Sequence, residues 1–217
     1  KAKVNRLTEI LDSVVDQIRL SLSAKDAARE KALPLCREVI RHCSNAIRAV
    51  HRQEFDQARE LLQPAYNLLK EAEQAVAAHE ELHYAGFIRD AQKEFAEGSI
   101  TLALVTGKQL PDPGELGIGS SAYLNGLGEA VGELRRYLLD SMRRGNLSRG
   151  EELLSAMDDI YSTLVTMDFP DAITDGLRRT TDMVRGVLER TRSDLTLVLS
   201  QKNLENRLKK FLSNEEG

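Results

Sequence analysis

The chain has 217 residues, 41% hydrophobic and 29% charged, with a net charge of −4, five prolines and no tryptophan. That length can bury one sizeable core and demands no second domain, so residues 1–217 read as a single helical domain. No stretch approaches the roughly twenty apolar residues needed to span a membrane and no secretory leader opens the chain, so a cytoplasmic protein without a membrane partner is the reading.

Apolar residues recur at helical spacing almost throughout, and no run of alternating β-branched residues is long enough for a strand. The chain is therefore all-α, with helices predicted at about 2–22, 25–52, 54–79, 82–106, 121–144, 148–167, 172–199 and 201–213. Ser23 and Asp26 offer N-caps between the first two, although these can also form one long helix kinked near Pro34. Cys36 and Cys43 lie two turns, roughly 10 Å, apart on the apolar face. That is beyond disulfide reach, so they read as small core residues in a reducing compartment. Across the same helix Arg37, Arg41, Arg48 and Arg52 project within an arc of about 60°. Such a row suits phosphate tracking, although a solvated face or intermolecular ion pairs explain it as simply.

His79-Glu80-Glu81-Leu82-His83 fits H-E-x-x-H, the zinc-peptidase signature. The match falls at a boundary between two predicted helices, the other histidines (His42 and His51) lie upstream, and no sheet is predicted to present a substrate. Coincidence in a Glu-rich hairpin is the simpler explanation.

The next helix carries Glu94 and Glu97 on one face with Asp90 and Thr101, flanked by Ile100 and Leu104. A loop from Gly107 to Ser120 follows, with Pro111, Pro113, Gly114, Gly117 and Gly119, long enough to let the flanking helices pack antiparallel. The helix beyond it places Glu129 and Glu133 on one face with Arg136 and Asp140. If the two helices meet, four carboxylates converge, and that much negative charge requires solvent or cations to neutralise it. Oxygen-only ligands favour Mg2+ or Mn2+ over zinc, and such ions commonly act on phosphate esters. Taken singly, each glutamate pair is equally an ordinary solvated face.

Gly145-Asn146 ends that helix, and Ser148 with Glu151 forms a capping box for the next. Asp168-Phe-Pro170 marks a further break before Asp171. Arg178, Arg185 and Arg192 alternate with Asp182 and Glu189, a pattern of intrahelical ion pairing. Residues 213–217 read as a frayed tail. The chain has no phosphate-binding glycine loop, no nucleophile elbow and no Glu-x-x-His pair of the di-iron type.

Five segments taken together resemble the translin/TRAX family. They are Lys31-Ala-Leu-Pro-Leu-Cys-Arg-Glu-Val-Ile-Arg41 leading to Arg48-Ala-Val-His-Arg52, Asp90-Ala-Gln-Lys-Glu-Phe-Ala-Glu97, Tyr123-Leu-Asn-Gly-Leu-Gly-Glu-Ala-Val-Gly-Glu-Leu-Arg-Arg136, and Pro170-Asp-Ala-Ile-Thr-Asp-Gly-Leu-Arg-Arg179. The similarity is specific as a set and spans most of the chain in order. An archaeal TRAX-like subunit is the type it looks most like.

The resemblance implies a bundle of about seven helices that assembles into a closed, hollow oligomer, typically an octamer, binding RNA and single-stranded DNA inside. It further implies that TRAX-type subunits are Mg2+-dependent endoribonucleases, whereas translin-type subunits bind nucleic acid and lack the acidic set. Glu94 and Glu97 match the family's first acidic pair, Glu129 stands where Asp is usual, and Glu133 matches the following Glu. The implied mechanism is hydrolysis of an RNA phosphodiester by Mg2+ held on these four residues, with Mn2+ as an alternative ion and the four arginines positioning the backbone with little sequence specificity. Two readings stay open: a homo-oligomeric endoribonuclease, and a non-catalytic translin-like scaffold for RNA or single-stranded DNA that supports a paralogous subunit.

Overall fold

The computed structural model describes residues 2–215, with side chains from 6 to 213, and among these every regular element is a helix. Six are long: α1 (Ala2–His51), α2 (Phe55–Val76), α4 (Gly86–Thr106), α6 (Ser120–Arg143), α7 (Gly150–Val165) and α9 (Leu177–Glu215). Three are single turns: α3 (Glu80–His83), α5 (Pro113–Leu116) and α8 (Asp171–Thr174).

Small residues set the first helical hairpin. Ala32, Cys36, Val39, Cys43, Ala46 and Val50 are buried along α1, and Ala58, Leu62, Ala65, Leu69, Ala72 and Val76 along α2. Both series step by alternating fours and threes, so each helix presents a narrow seam of short side chains to the other. The turn between them is tight: Gln53 takes a positive φ of 64°, and the Glu54 amide donates back to the Ala49 carbonyl at 2.9 Å. Both cysteines are free and buried, and burial, followed by the Glu73 charge, pushes the Cys36 thiol up to about 11.

α4 is the central element, packed against α1, α2 and α6, while α6 in turn carries α7 and α9. Gly107, at φ 67°, closes α4 in the left-handed conformation, and the connection then folds back on itself through an Asp112–Glu115 capping box. The Tyr123 hydroxyl donates to the Pro111 carbonyl and the Lys70 ammonium to that of Gly117, so the Gly/Pro loop is tied down at both ends of α5. α6 nevertheless runs parallel to α4, not antiparallel as the loop length predicts: the loop doubles back so that Gly119 lies beside Gln92 and Gly126 beside Lys93 and Ala96, while Arg149, just past the end of α6, donates to the Leu104 and Val105 carbonyls at the end of α4.

Several helix boundaries differ from the sequence-based ones. α1 runs unbroken through Ser23, Asp26 and Pro34, and α9 through Ser200; around Ser23 and Ser200 the large apolar side chains stay exposed, so a bend there would bury nothing. Conversely, the helix predicted from residue 82 is split at Tyr84–Ala85 into α3 and α4, and the one predicted from residue 172 is split into α8 and α9 at Asp175 and Gly176, both with positive φ. The tail expected to fray from 213 continues α9 as far as Glu215, and its last two residues lie outside the described range.

Both long helices overrun the core. Residues Leu7, Ile10, Leu11, Val14, Val15, Ile18, Leu20 and Leu22 of α1 are exposed, as are Leu197, Leu204, Leu208, Phe211 and Leu212 of α9. No helix among the described residues is long and apolar enough to cross a membrane.

Candidate metal centre

Glycine brings α6 against α4. A Cβ added at Gly126 would stand 2.6 Å from the Ala96 Cβ and 2.8 Å from the Lys93 carbonyl oxygen, so no side chain fits between the backbones there. On the other flank, a Cβ at Gly128 would collide with the Thr180 methyl of α9. Asn125 fixes the register between them. Its amide donates to the Ser121 and Thr174 carbonyls, each at 2.9 Å, and its carbonyl accepts from the Thr180 hydroxyl at 2.6 Å. One turn beyond Gly126 on the same face comes Glu129, held close to α4 by this contact.

Glu94, Glu97 and Glu129 each offer a carboxylate oxygen, and these atoms lie within 4.8 Å of one another. Glu97, the most enclosed of the three, has its pKa pushed up to about 8, by burial first and then by the charges of Glu94, Glu129 and Glu133. Glu94 is also raised, again by burial and next by Glu129. Three carboxyls at this spacing are ionised together only with a cation among them. The donor set is all oxygen and preassembled, and it fits a hard divalent ion such as Mg2+ or Mn2+.

The site has a cationic side chain of its own. The Lys93 ammonium bonds Glu129 Oε1 at 2.8 Å. Burial pulls the Lys93 pKa down, but the Glu129 hydrogen bond and the charges of Glu129, Glu94 and Asp90 more than offset it and leave it raised.

Glu133 is placed differently from the other three predicted ligands. Its Oε2 is bonded to Nε2 of His51, and Arg136 Nη1 stands 3.9 Å away. It thus borders the cluster, close enough for its charge to raise Glu94 and Glu97, while pointing at α1. His51 is 7% exposed, and its Nδ1 is buried without a partner.

No protein-family model matches the chain. An uncharacterised protein of Methanocaldococcus jannaschii is 31% identical over 191 residues, covering 87% of this chain and 84% of that one. Among solved structures, AfC3PO is 31% identical with a TM-score of 0.79, over 86% of this chain and 97% of its own. A complex of AfC3PO with duplex RNA matches at 30% identity, a TM-score of 0.79 and the same coverage. The chain belongs to the translin/TRAX family. Apo-NeC3PO, 17% identical, shares the fold with a TM-score of 0.75 over 85% of this chain and 96% of that chain.

Within this translin/TRAX bundle, all four arginines predicted to contact phosphate are exposed, Arg37, Arg41 and Arg48 on α1 and Arg52 just past its end. Arg41 is paired with Glu38 and Arg52 with Glu54, whereas Arg37 and Arg48 carry no ion pair among the described residues. Arg48 lies one turn before His51, and Arg37 lies about 17 Å further back along the helix axis. The second arginine row is consumed by ion pairs: Arg185 with Glu189 on its own helix, but Arg178 with Asp168 and Arg192 with Asp158 of α7.

The H-E-x-x-H match takes no part in the carboxylate cluster. His79 precedes the single turn α3, Lys25 binds Glu81 at 2.6 Å, and His83 sets its ring edge against Tyr84.

Lys93 and His51 are the side chains that sequence reasoning missed. Each sits inside a segment already singled out, one residue before Glu94 and between Arg48 and Arg52. Their partners lie 36 and 82 residues away, and nothing in local spacing names them.

Proposed function

We propose that this chain is a divalent-metal-dependent endoribonuclease that hydrolyses RNA phosphodiester bonds with little sequence specificity, working as a homo-oligomer. The observation that carries this reading is the convergence of Glu94, Glu97 and Glu129 in a family whose solved relatives include a complex of AfC3PO with duplex RNA. Glu94, Glu97 and Glu129 would hold Mg2+ or Mn2+, with Glu133 beside them, oriented by His51. When bound, such an ion supplies Lewis-acid stabilisation of charge on phosphate oxygens and lowers the pKa of water. The protein's own contribution is placement. Arg48 and Arg37 offer unpaired guanidinium groups to phosphates, and contacts of that kind position a strand without reading its bases.

Self-assembly is supported by the overrunning helices. Leu7, Leu11, Val14 and Ile18 of α1 step by four, three and four residues, the period of a helix–helix seam, and are 58%, 52%, 45% and 52% exposed. An apolar stripe of this length on a soluble chain marks an interaction surface. A second copy of the chain is the partner we assign to it, in a closed and hollow assembly of octameric type.

The deciding assay incubates the full chain with single-stranded and duplex RNA, in Mg2+ and in EDTA. Cleavage in Mg2+ that EDTA abolishes is the expected result. Binding without cleavage under both conditions would instead make the protein an RNA- or single-stranded-DNA-binding scaffold for a catalytic paralogue.

A further inference from the structure

The Lys93 ammonium occupies a position that a bound cation would have to contest. It bonds Glu129 Oε1 at 2.8 Å and lies among the charges of Glu129, Glu94 and Asp90. Glu129 is at the same time one of the three carboxylates whose oxygens fall within 4.8 Å of one another. The pair is only part-exposed, at 27% for the Lys93 side chain and 31% for Glu129, so solvent screens it incompletely. The Lys93 backbone is fixed as well, because its carbonyl lies in the α4–α6 contact at Gly126.

We infer that Lys93 is a built-in counter-ion of the acidic centre, and that a divalent ion must draw Glu129 away from its ammonium in order to bind. This inference rests on the metal-site reading above and adds a regulator of metal affinity to it. Two consequences follow from electrostatics. Lys93 lowers divalent affinity by competing for Glu129 and by repelling a second cation. It also holds together three carboxyls that would otherwise repel one another. Damage to the fold weakens metal binding, whereas removal of a competing charge strengthens it, so the direction of the change separates a counter-ion from a merely structural lysine.

The test is a calorimetric Mn2+ titration of the full chain after chelator treatment, comparing wild type with Lys93→Met and Lys93→Arg. Expected is Mn2+ binding tighter by on the order of tenfold in Lys93→Met, the usual size of coupling between two ligands that affect one site. Lys93→Arg, which keeps the charge, should bind no more tightly than wild type. Lys93→Gln gives the same direction as Lys93→Met and replaces it if that variant does not fold. Unchanged or weaker Mn2+ binding in a cooperatively melting Lys93→Met or Lys93→Gln protein overturns the inference. Binding by neither wild type nor variant overturns it together with the metal site. Wild-type protein that binds Mn2+ yet leaves RNA intact overturns only the nuclease reading, and the Lys93 comparison still decides.

Discussion

Gly126 of α6 faces Ala96 of α4 so closely that a methyl group on the glycine would stand 2.6 Å from the alanine's own. The two helices therefore meet at a spacing that only glycine permits, one turn from Glu129. Gly126→Ala should destabilise the protein by about 1–3 kcal/mol, the usual cost of overpacking, because one of the obstructing atoms is backbone. It should also weaken Mn2+ binding by spreading the carboxylates. Thermal melts with and without Mn2+ read both effects. Gly132→Ala is the control: nothing lies within 4 Å of its added Cβ, so relief of helical glycine should stabilise by about 0.5–1 kcal/mol.

Acidity in the centre predicts an unusual pH dependence. Glu97 is shifted from 4.5 up to about 8, so the folded chain holds this proton more tightly than the unfolded chain. The stabilisation is fully present below pH 4.5 and is lost as pH rises through about 8. In chelator, the melting temperature should fall across that window. Saturating Mn2+ should flatten the slope by replacing the proton, and Glu97→Gln should flatten it without metal.

The acidic set should separate cutting from holding. Glu129→Ala or Glu133→Ala should abolish Mg2+-dependent RNA cleavage while leaving RNA affinity in EDTA within about twofold, since phosphate contacts carry most nucleic-acid affinity. Full cleavage by either variant would remove that residue from the proposed site. Glu129→Asp, which shortens the reach by one methylene, tests whether the longer side chain sets the rate.

Arginine substitutions should show their role in salt dependence. Arg48→Ala and Arg37→Ala should each lower the slope of log affinity against log salt by roughly 0.7–0.9, the loss of one phosphate contact. Arg178→Ala, whose guanidinium is paired with Asp168, should leave the slope unchanged.

How far the sequence could be read depended on how local each determinant was. The glutamate pairs were legible because spacing within a helix fixes a shared face, even though the Gly/Pro loop doubles back and delivers α6 parallel to α4 instead of antiparallel. The approach distance was not, since it is decided by Gly126 against Ala96 across two helices. Lys93 and His51 were hidden for the same reason: an ammonium beside Glu94 looks solvated until α6 delivers Glu129 to it. The breaks expected at Ser23 and Ser200 failed differently. Good capping residues stop a helix only when the chain has a contact to turn towards, and the large apolar side chains on the outer parts of α1 and α9 stay exposed among the described residues.

α1 passes from its exposed apolar stripe to His51 without a break, so Leu11 and His51 lie on one rod, about 60 Å apart. If a second copy grips the stripe, any change in that grip swings the far end of the lever, where His51 holds Glu133. Leu11→Asp with Val14→Asp should then dissociate the assembly, seen by light scattering, and alter cleavage by the remaining subunits although neither residue is near the carboxylates. Quaternary structure and turnover would be mechanically geared through a single helix.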